Sequence, residues 1–170
     1  MSDWKECKLG EVITLNYGKA LVADKRIPGN FPVYSSSGIS GWHNSPLVNS
    51  KGIIVGRKGS IGNVFFSDKP FYCIDTAYYV LPIPEKYDFK FVYYLLKSLG
   101  LDKLNEDSAV PGLNRNTAYN QPVSLPELAT QATIAEILSS LDDKIELNNQ
   151  INANLEALAQ AIFKHWFIDF

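Results

Sequence analysis

Residues 127–170 read ELATQATIAEILSSLDDKIELNNQINANLEALAQAIFKHWFIDF and contain neither glycine nor proline, whereas all 11 glycines and all 9 prolines of the chain lie at or before Pro126. Glycine costs a helix backbone entropy and proline removes an amide donor. A stretch free of both and rich in Ala, Leu, Gln, Glu and Ile therefore predicts one long helix. At about 1.5 Å per residue it would reach roughly 60 Å. Its start is expected between Pro126 and Thr130, where proline suits a first turn and Thr130 offers a capping hydroxyl. Ile134, Leu138, Leu141 and Ile145 step by four, three and four residues, the spacing of a coiled-coil seam. The same count continues through Asn148, Asn152, Leu155, Ala159, Ile162 and Trp166, and an adjacent row, Leu147, Ile151, Leu155, Leu158 and Ile162, shifts the stripe slightly. That much apolar surface calls for a partner helix, or for folding back onto the chain's own domain. Asparagines in a seam fix register and strand number. His165, among Phe163, Trp166 and Phe167, reads as packing at the end of the helix.

Upstream, residues 1–126 read as a separate domain of mixed strand and helix. Gly52–Gly56 and the run Phe71–Leu81 are rich in β-branched and aromatic residues, and Phe31–Tyr34 and Val64–Phe66 are shorter candidates for strands. Asp88 precedes Phe89, Val92, Leu95, Leu96 and Leu99 at helical spacing, with Gly100 after them, so Asp88 is expected to cap the start and Gly100 the end. Strands without regularly alternating helices argue against a doubly wound sheet, and no internal repeat is visible. The expected class is α+β, a β-rich domain over 1–126 followed by one helix over 127–170.

Charge divides along the same line. Up to Pro126 there are 14 Lys/Arg against 11 Asp/Glu, a net of +3, and beyond it 2 against 7, a net of −5. A mildly basic body is compatible with nucleic acid, whereas an acidic helix repels phosphates and suits a protein partner. No apolar run reaches the roughly 20 residues of a membrane span, and the first residues lack the pattern of a signal peptide. Cys7 and Cys73 lie far apart without metal-ligand spacing, which fits free thiols in the cytoplasm.

No phosphate-binding loop, dinucleotide fingerprint or zinc spacing is present, nor an Asn/Asp-Pro-Pro-Tyr methyltransferase motif or a nuclease acid with Glu-x-Lys. Cys73, Asp75 and His43 can be assembled into a nucleophile, acid and base, but two of them belong to an apolar strand and His43 beside Trp42 needs no catalytic explanation. Three polar stretches carry more. Tyr34–Asn44 packs four serines, a tyrosine, a histidine and an asparagine into 11 residues. Arg57–Asn63 follows the buried strand with two cations, two glycines and a serine, and Ala109–Asn116 sets an arginine between two asparagines. These side chains donate to phosphates and read base edges, while glycine lets backbone approach closely. The same composition also describes ordinary surface turns. Lys19, Lys25 and Arg26 add cations that either share that surface or are simply solvated.

Taken in order, several segments resemble one family. Trp4–Gly18, with Leu9-Gly-Glu11, resembles the opening of a target-recognition domain; Pro32-Val-Tyr-Ser-Ser-Ser-Gly38 and Gly56-Arg-Lys-Gly-Ser-Ile-Gly62 resemble its internal signatures. Pro122–Leu128 with Gln131–Leu138, then Asn148–Asn152 through Phe163–Phe170, resembles a conserved spacer helix. The chain is thereby similar to the specificity subunit of type I restriction-modification systems. Such subunits usually carry two recognition domains and two helices that pair antiparallel as a ruler, and this sequence shows one of each. The resemblance implies a homodimer through the helix that reads a bipartite palindromic site in double-stranded DNA. It also implies docking of modification and restriction subunits and no catalysis by this chain; S-adenosylmethionine, ATP and magnesium belong to those partners. The residues implied for DNA contact are Lys19, Lys25, Arg26, Tyr34, Ser35, Ser36, Ser37, His43, Arg57, Lys58, Ser60, Asn114, Arg115 and Asn116. Arg115 is the preferred base reader, with Arg57 and Lys58 on phosphates. Two other readings stand beside this one: a truncated fragment that titrates full-size partners through its helix, and a piece of a fused restriction-methylation enzyme.

Overall fold

Ile53, Ile54 and Val55 are wholly buried in strand β5 (Gly52–Gly56), and the largest sheet is built outward from them. The computed structural model describes residues 4–83, 85–104 and 112–169. Besides β5 the sheet contains β2 (Asn16–Tyr17), β6 (Val64–Ser67) and β8 (Ala77–Val80), in the order β2-β8-β5-β6, with every neighbour antiparallel. Bulky β-branched residues fill β5, and a glycine at each end admits a neighbour. Gly52 makes room for the Phe71 ring, and a Cβ at Gly56 would collide with the Ser60 carbonyl. The strand is thus closely packed at its sides and free of clashes at its ends.

A second sheet joins β3 (Phe31–Ser35), β4 (Gly38–His43) and β7 (Tyr72–Cys73), with β3 antiparallel to β4 and parallel to β7. The polar stretch Tyr34–Asn44 is therefore mostly a hairpin, and only Ser36 and Ser37 form its turn. Phe71–Leu81, expected as one strand, is two. The chain turns at Ile74–Thr76, where the Ala77 amide donates to the Ile74 carbonyl at 3.1 Å, and β7 and β8 go to different sheets.

A third pairing runs between β1 (Lys5–Lys8) and β9 (Pro122–Leu125), antiparallel, from Lys5↔Leu125 to Lys8↔Pro122. It closes the two ends of the domain onto each other. The short helices α1 (Leu9–Val12) and α3 (Arg115–Tyr119) follow and precede these strands; Gly10 lets the Tyr119 side chain approach α1. Helix α2 (Phe89–Ser98) begins where the sequence predicts: Asp88 Oδ1 accepts the Phe91 amide at 2.8 Å. Gly100, at φ +61°, supplies the left-handed turn just past its end. Phe89, Phe91, Val92 and Leu96 are buried, and Phe89 meets Phe66 of β6 at 5.7 Å between ring centroids.

Helix α4 (Leu128–Phe167) runs for 40 residues from inside the expected starting window. Its first turn is anchored by Gln131, which is buried. Gln131 Nε2 donates to the Pro126 carbonyl at 2.9 Å and its Oε1 accepts the Asp88 amide at 3.1 Å. Packing divides the chain into units Met1–Ala132 and Thr133–Phe170, where composition places the division at Pro126. Along the second unit Leu141, Ile145, Ile151, Leu155, Leu158 and Ile162 are exposed, and Ile134 and Leu138 are partly buried. Phe163, Trp166 and Phe167 at the helix end are exposed as well, so His165 is not enclosed by them. Among the described residues no helix is long and apolar enough to cross a membrane.

Candidate nucleic-acid interface

At the edge of the four-stranded sheet, Tyr17 pairs with Tyr78 in register, and their rings lie 5.1 Å apart. Two cations from distant parts of the sequence gather on Tyr17. The Arg57 guanidinium carbon lies 4.9 Å from the ring centroid and that of Arg115 lies 5.2 Å from it. Backbone bonds hold these segments together. The Arg57 and Lys58 amides both donate to the Thr76 carbonyl, at 2.9 and 3.0 Å, and the Leu113 amide donates to the Arg57 carbonyl at 2.8 Å. Tyr78 completes the connection from below, its hydroxyl donating to the Leu113 carbonyl at 3.1 Å. Burial, and then the contact with Tyr17, push the Tyr78 hydroxyl up to about 12, against the pull of Arg57 and Arg115, so it remains a neutral donor.

Lys19, Ser37, Lys58, Ser60, Asn114 and Asn116, on the chain segments that adjoin this centre, are exposed. Lys19 is tied to β7, its amide donating to the Cys73 carbonyl at 3.0 Å. The β3–β4 turn is tied in where the Ser36 amide donates to Thr76 Oγ1 at 3.3 Å. Arg57 is only partly exposed, and its Nη1 donates to the Asp75 carbonyl at 3.0 Å, which fixes how its remaining donors face. Asn114 caps α3, its Oδ1 accepting the amides of Asn116 and Thr117 at 2.8 and 3.4 Å, and this places Arg115 as the first helical residue. Ala109, Val110 and Pro111 of the polar stretch Ala109–Asn116 lie outside the described residues.

Four expected contact residues are turned inward instead. Tyr34 belongs to the core cluster against Phe71, with ring centroids 5.7 Å apart. Ser35 is buried and its hydroxyl donates to the Gly38 carbonyl at 3.1 Å. Ser36 is buried in the turn, and buried His43 accepts the Ile27 amide on Nδ1 at 3.1 Å while its ring meets Tyr72 edge-on. These four side chains are buried, whereas Lys19, Ser37, Lys58, Ser60, Asn114 and Asn116 are exposed. Arg26 also works locally, its Nη1 donating to the Ser40 carbonyl of β4 at 2.6 Å. Lys25 is exposed on a single turn of 3₁₀ helix at Ala23–Lys25.

Tyr17, Thr76 and Tyr78 escaped the sequence reading. Only Tyr17 left a signal there, an aromatic residue beside Gly18 and Lys19. The Cys73 thiol is buried against the carbonyls of Ile74 and Ala77, and burial followed by the Asp75 charge pushes it up to about 12, which leaves it a poor nucleophile at neutral pH. Among the described residues no three His, Cys, Asp or Glu side chains gather as a metal-holding group.

Residues 1–157 match the family described as type I restriction modification DNA specificity domain. Among curated relatives, the HindI specificity subunit of Haemophilus influenzae is 47% identical over 60 residues, 35% of this chain and 13% of that protein. The putative type I specificity subunit S.MpnORF638P of Mycoplasma pneumoniae is 29% identical across 99% of this chain and 47% of its own length. In structure the chain resembles the type I restriction-modification S subunit from M. genitalium, with a TM-score of 0.81 at 24% identity over 96% of this chain and 45% of the other. The chain thus spans about half the length of the relatives it matches from end to end.

Proposed function

The chain belongs to the type I restriction-modification DNA specificity domain family, and on that premise we propose that it reads duplex DNA through the surface centred on Tyr17, Arg57 and Arg115. The observation that carries this reading is the convergence of two guanidinium groups on one exposed ring. Arginine bonds a guanine edge bidentately, and exposed lysine and serine beside it suit phosphates. On this reading Arg115 reads a base, while Lys58, Ser60 and Lys19 hold the backbone. The chain performs no chemistry itself. Methyl transfer and cleavage, with their S-adenosylmethionine, ATP and magnesium, fall to modification and restriction subunits in the cytoplasm.

Two copies are proposed to pair through α4, where Leu141 is 53% and Leu155 58% exposed. A two-fold axis through that pair sets two identical readers on one duplex and selects a palindromic split site. The acidic helix then suits a modification subunit better than DNA.

The test is selection from a randomised duplex pool by the full chain, followed by binding of single variants. Arg115→Ala is expected to relax preference at one base position by ~1–3 kcal/mol, whereas Lys58→Ala weakens all sequences alike and lowers the salt slope by about 1. Equal losses from both changes on every duplex would remove the assignment.

A further inference from the structure

Tyr17 is a ring left 48% exposed on a two-residue edge strand. Both guanidinium groups approach it to about the same distance, 4.9 and 5.2 Å. The ring face attracts each cation, yet two like charges on one ring repel each other. Among the described residues no carboxylate forms an ion pair with either arginine. Two guanidinium groups gathered on one exposed ring suit a phosphate oxygen or a guanine edge. The two arginines are held differently. Arg57 is oriented by the Asp75 carbonyl. Arg115 rests on the rings of Tyr17 and Tyr119, at 5.2 and 6.0 Å. Without the Tyr17 ring, Arg115 gains rotamer freedom that binding must then remove.

We propose that Tyr17 is the positioning residue of the reading surface: its ring aims Arg115 alongside Arg57, and so an uncharged side chain sets sequence preference. The inference rests on the DNA reading given above. Tyr17 acts through the arginines and contributes no charge of its own to the contact.

The test uses the full chain and the duplex that the wild-type chain enriches from a randomised pool. Tyr17→Phe keeps the ring and is expected to bind that duplex within about twofold of wild type, with the same preferred sequence. Tyr17→Leu is expected to lose up to about tenfold, the cost of ordering one freed arginine side chain on binding. It should relax the same base position as Arg115→Ala and leave binding to an unselected duplex unchanged. The double variant Tyr17→Leu, Arg115→Ala should bind no worse than Arg115→Ala, because one interaction is lost only once. Tyr17→Thr, which suits a half-exposed strand edge, lacks the ring equally and decides the matter if Tyr17→Leu does not fold. Multiplying losses in the double variant, an unaltered sequence preference without the ring, or failure of Tyr17→Phe would each overturn the inference while leaving DNA reading intact. A pool that the wild-type chain does not enrich would overturn both.

Discussion

Cys73 is fully buried, and its thiol has no use for charge there: burial, and then the nearby Asp75 carboxylate, raise it from 9.0 to about 12. Tyr78 is raised from 10.0 to about 12, chiefly by burial. A group whose pKa is higher when folded favours the folded state below its unfolded value and loses that contribution as pH rises toward the folded one. Stability to urea should therefore hold up to about pH 9 and fall toward about pH 12. Cys73→Ala should flatten the earlier part of that fall while lowering stability at neutral pH by about 1 kcal/mol for the lost packing. A urea midpoint that ignores pH through this range would contradict the assignment. Four expected contact residues, Tyr34, Ser35, Ser36 and His43, are buried. Their side chains suit DNA, but residue type does not say which way a strand faces. Ser35 bonds the Gly38 carbonyl within the hairpin, and His43 accepts the Ile27 amide from the segment before it. Tyr17 was missed for the opposite reason, since an aromatic residue in sequence reads as core and becomes visible as a seat for cations only when Arg57 and Arg115 arrive from elsewhere.

Elements announced by local chemistry were legible: β5 by its β-branched run between glycines, α2 by Asp88 and Gly100, and α4 by the absence of breakers. Those that depend on distant partners were not. Neither Lys5–Lys8 nor Pro122–Leu125 is apolar enough to signal a strand, and each forms one because the other lies opposite. The division of Phe71–Leu81 was hidden because no glycine or proline marks the turn at Ile74–Thr76. At this scale the joint between α2 and α4 is the most exacting. Gln131 satisfies the Asp88 amide and the Pro126 carbonyl at once. Gln131→Leu leaves both groups without that partner and should cost about 1–3 kcal/mol in urea unfolding. Asp88→Ala removes only a cap and should cost about 1 kcal/mol. If Gln131→Leu were as stable as the wild type, the joint would hold by apolar packing alone, and the double hydrogen bond would contribute nothing net.

Across the whole molecule the break in composition at Pro126 foretold a body and a long helix, because helix formation over 40 residues needs only local information. What the helix is for depends on surfaces that meet outside one chain. Leu141, Ile145, Ile151, Leu155, Leu158 and Ile162 are exposed on α4, and contiguous apolar surface of this kind marks an interaction site. Pairing of two copies predicts a species of twice 19.0 kDa by light scattering at micromolar concentration. Leu155→Asp alters both copies at once. Loss of two leucine burials amounts to about 3–6 kcal/mol, and the dimer should weaken by more than about 100-fold. Reading and spacing then separate. Each altered monomer keeps Tyr17, Arg57 and Arg115, so it should still prefer the half-site that the wild-type chain selects. The fixed gap between two inverted half-sites should disappear, since nothing sets the distance between independent monomers. A wild-type monomer, or a Leu155→Asp variant that still demands the same gap, would place the ruler somewhere other than this helix.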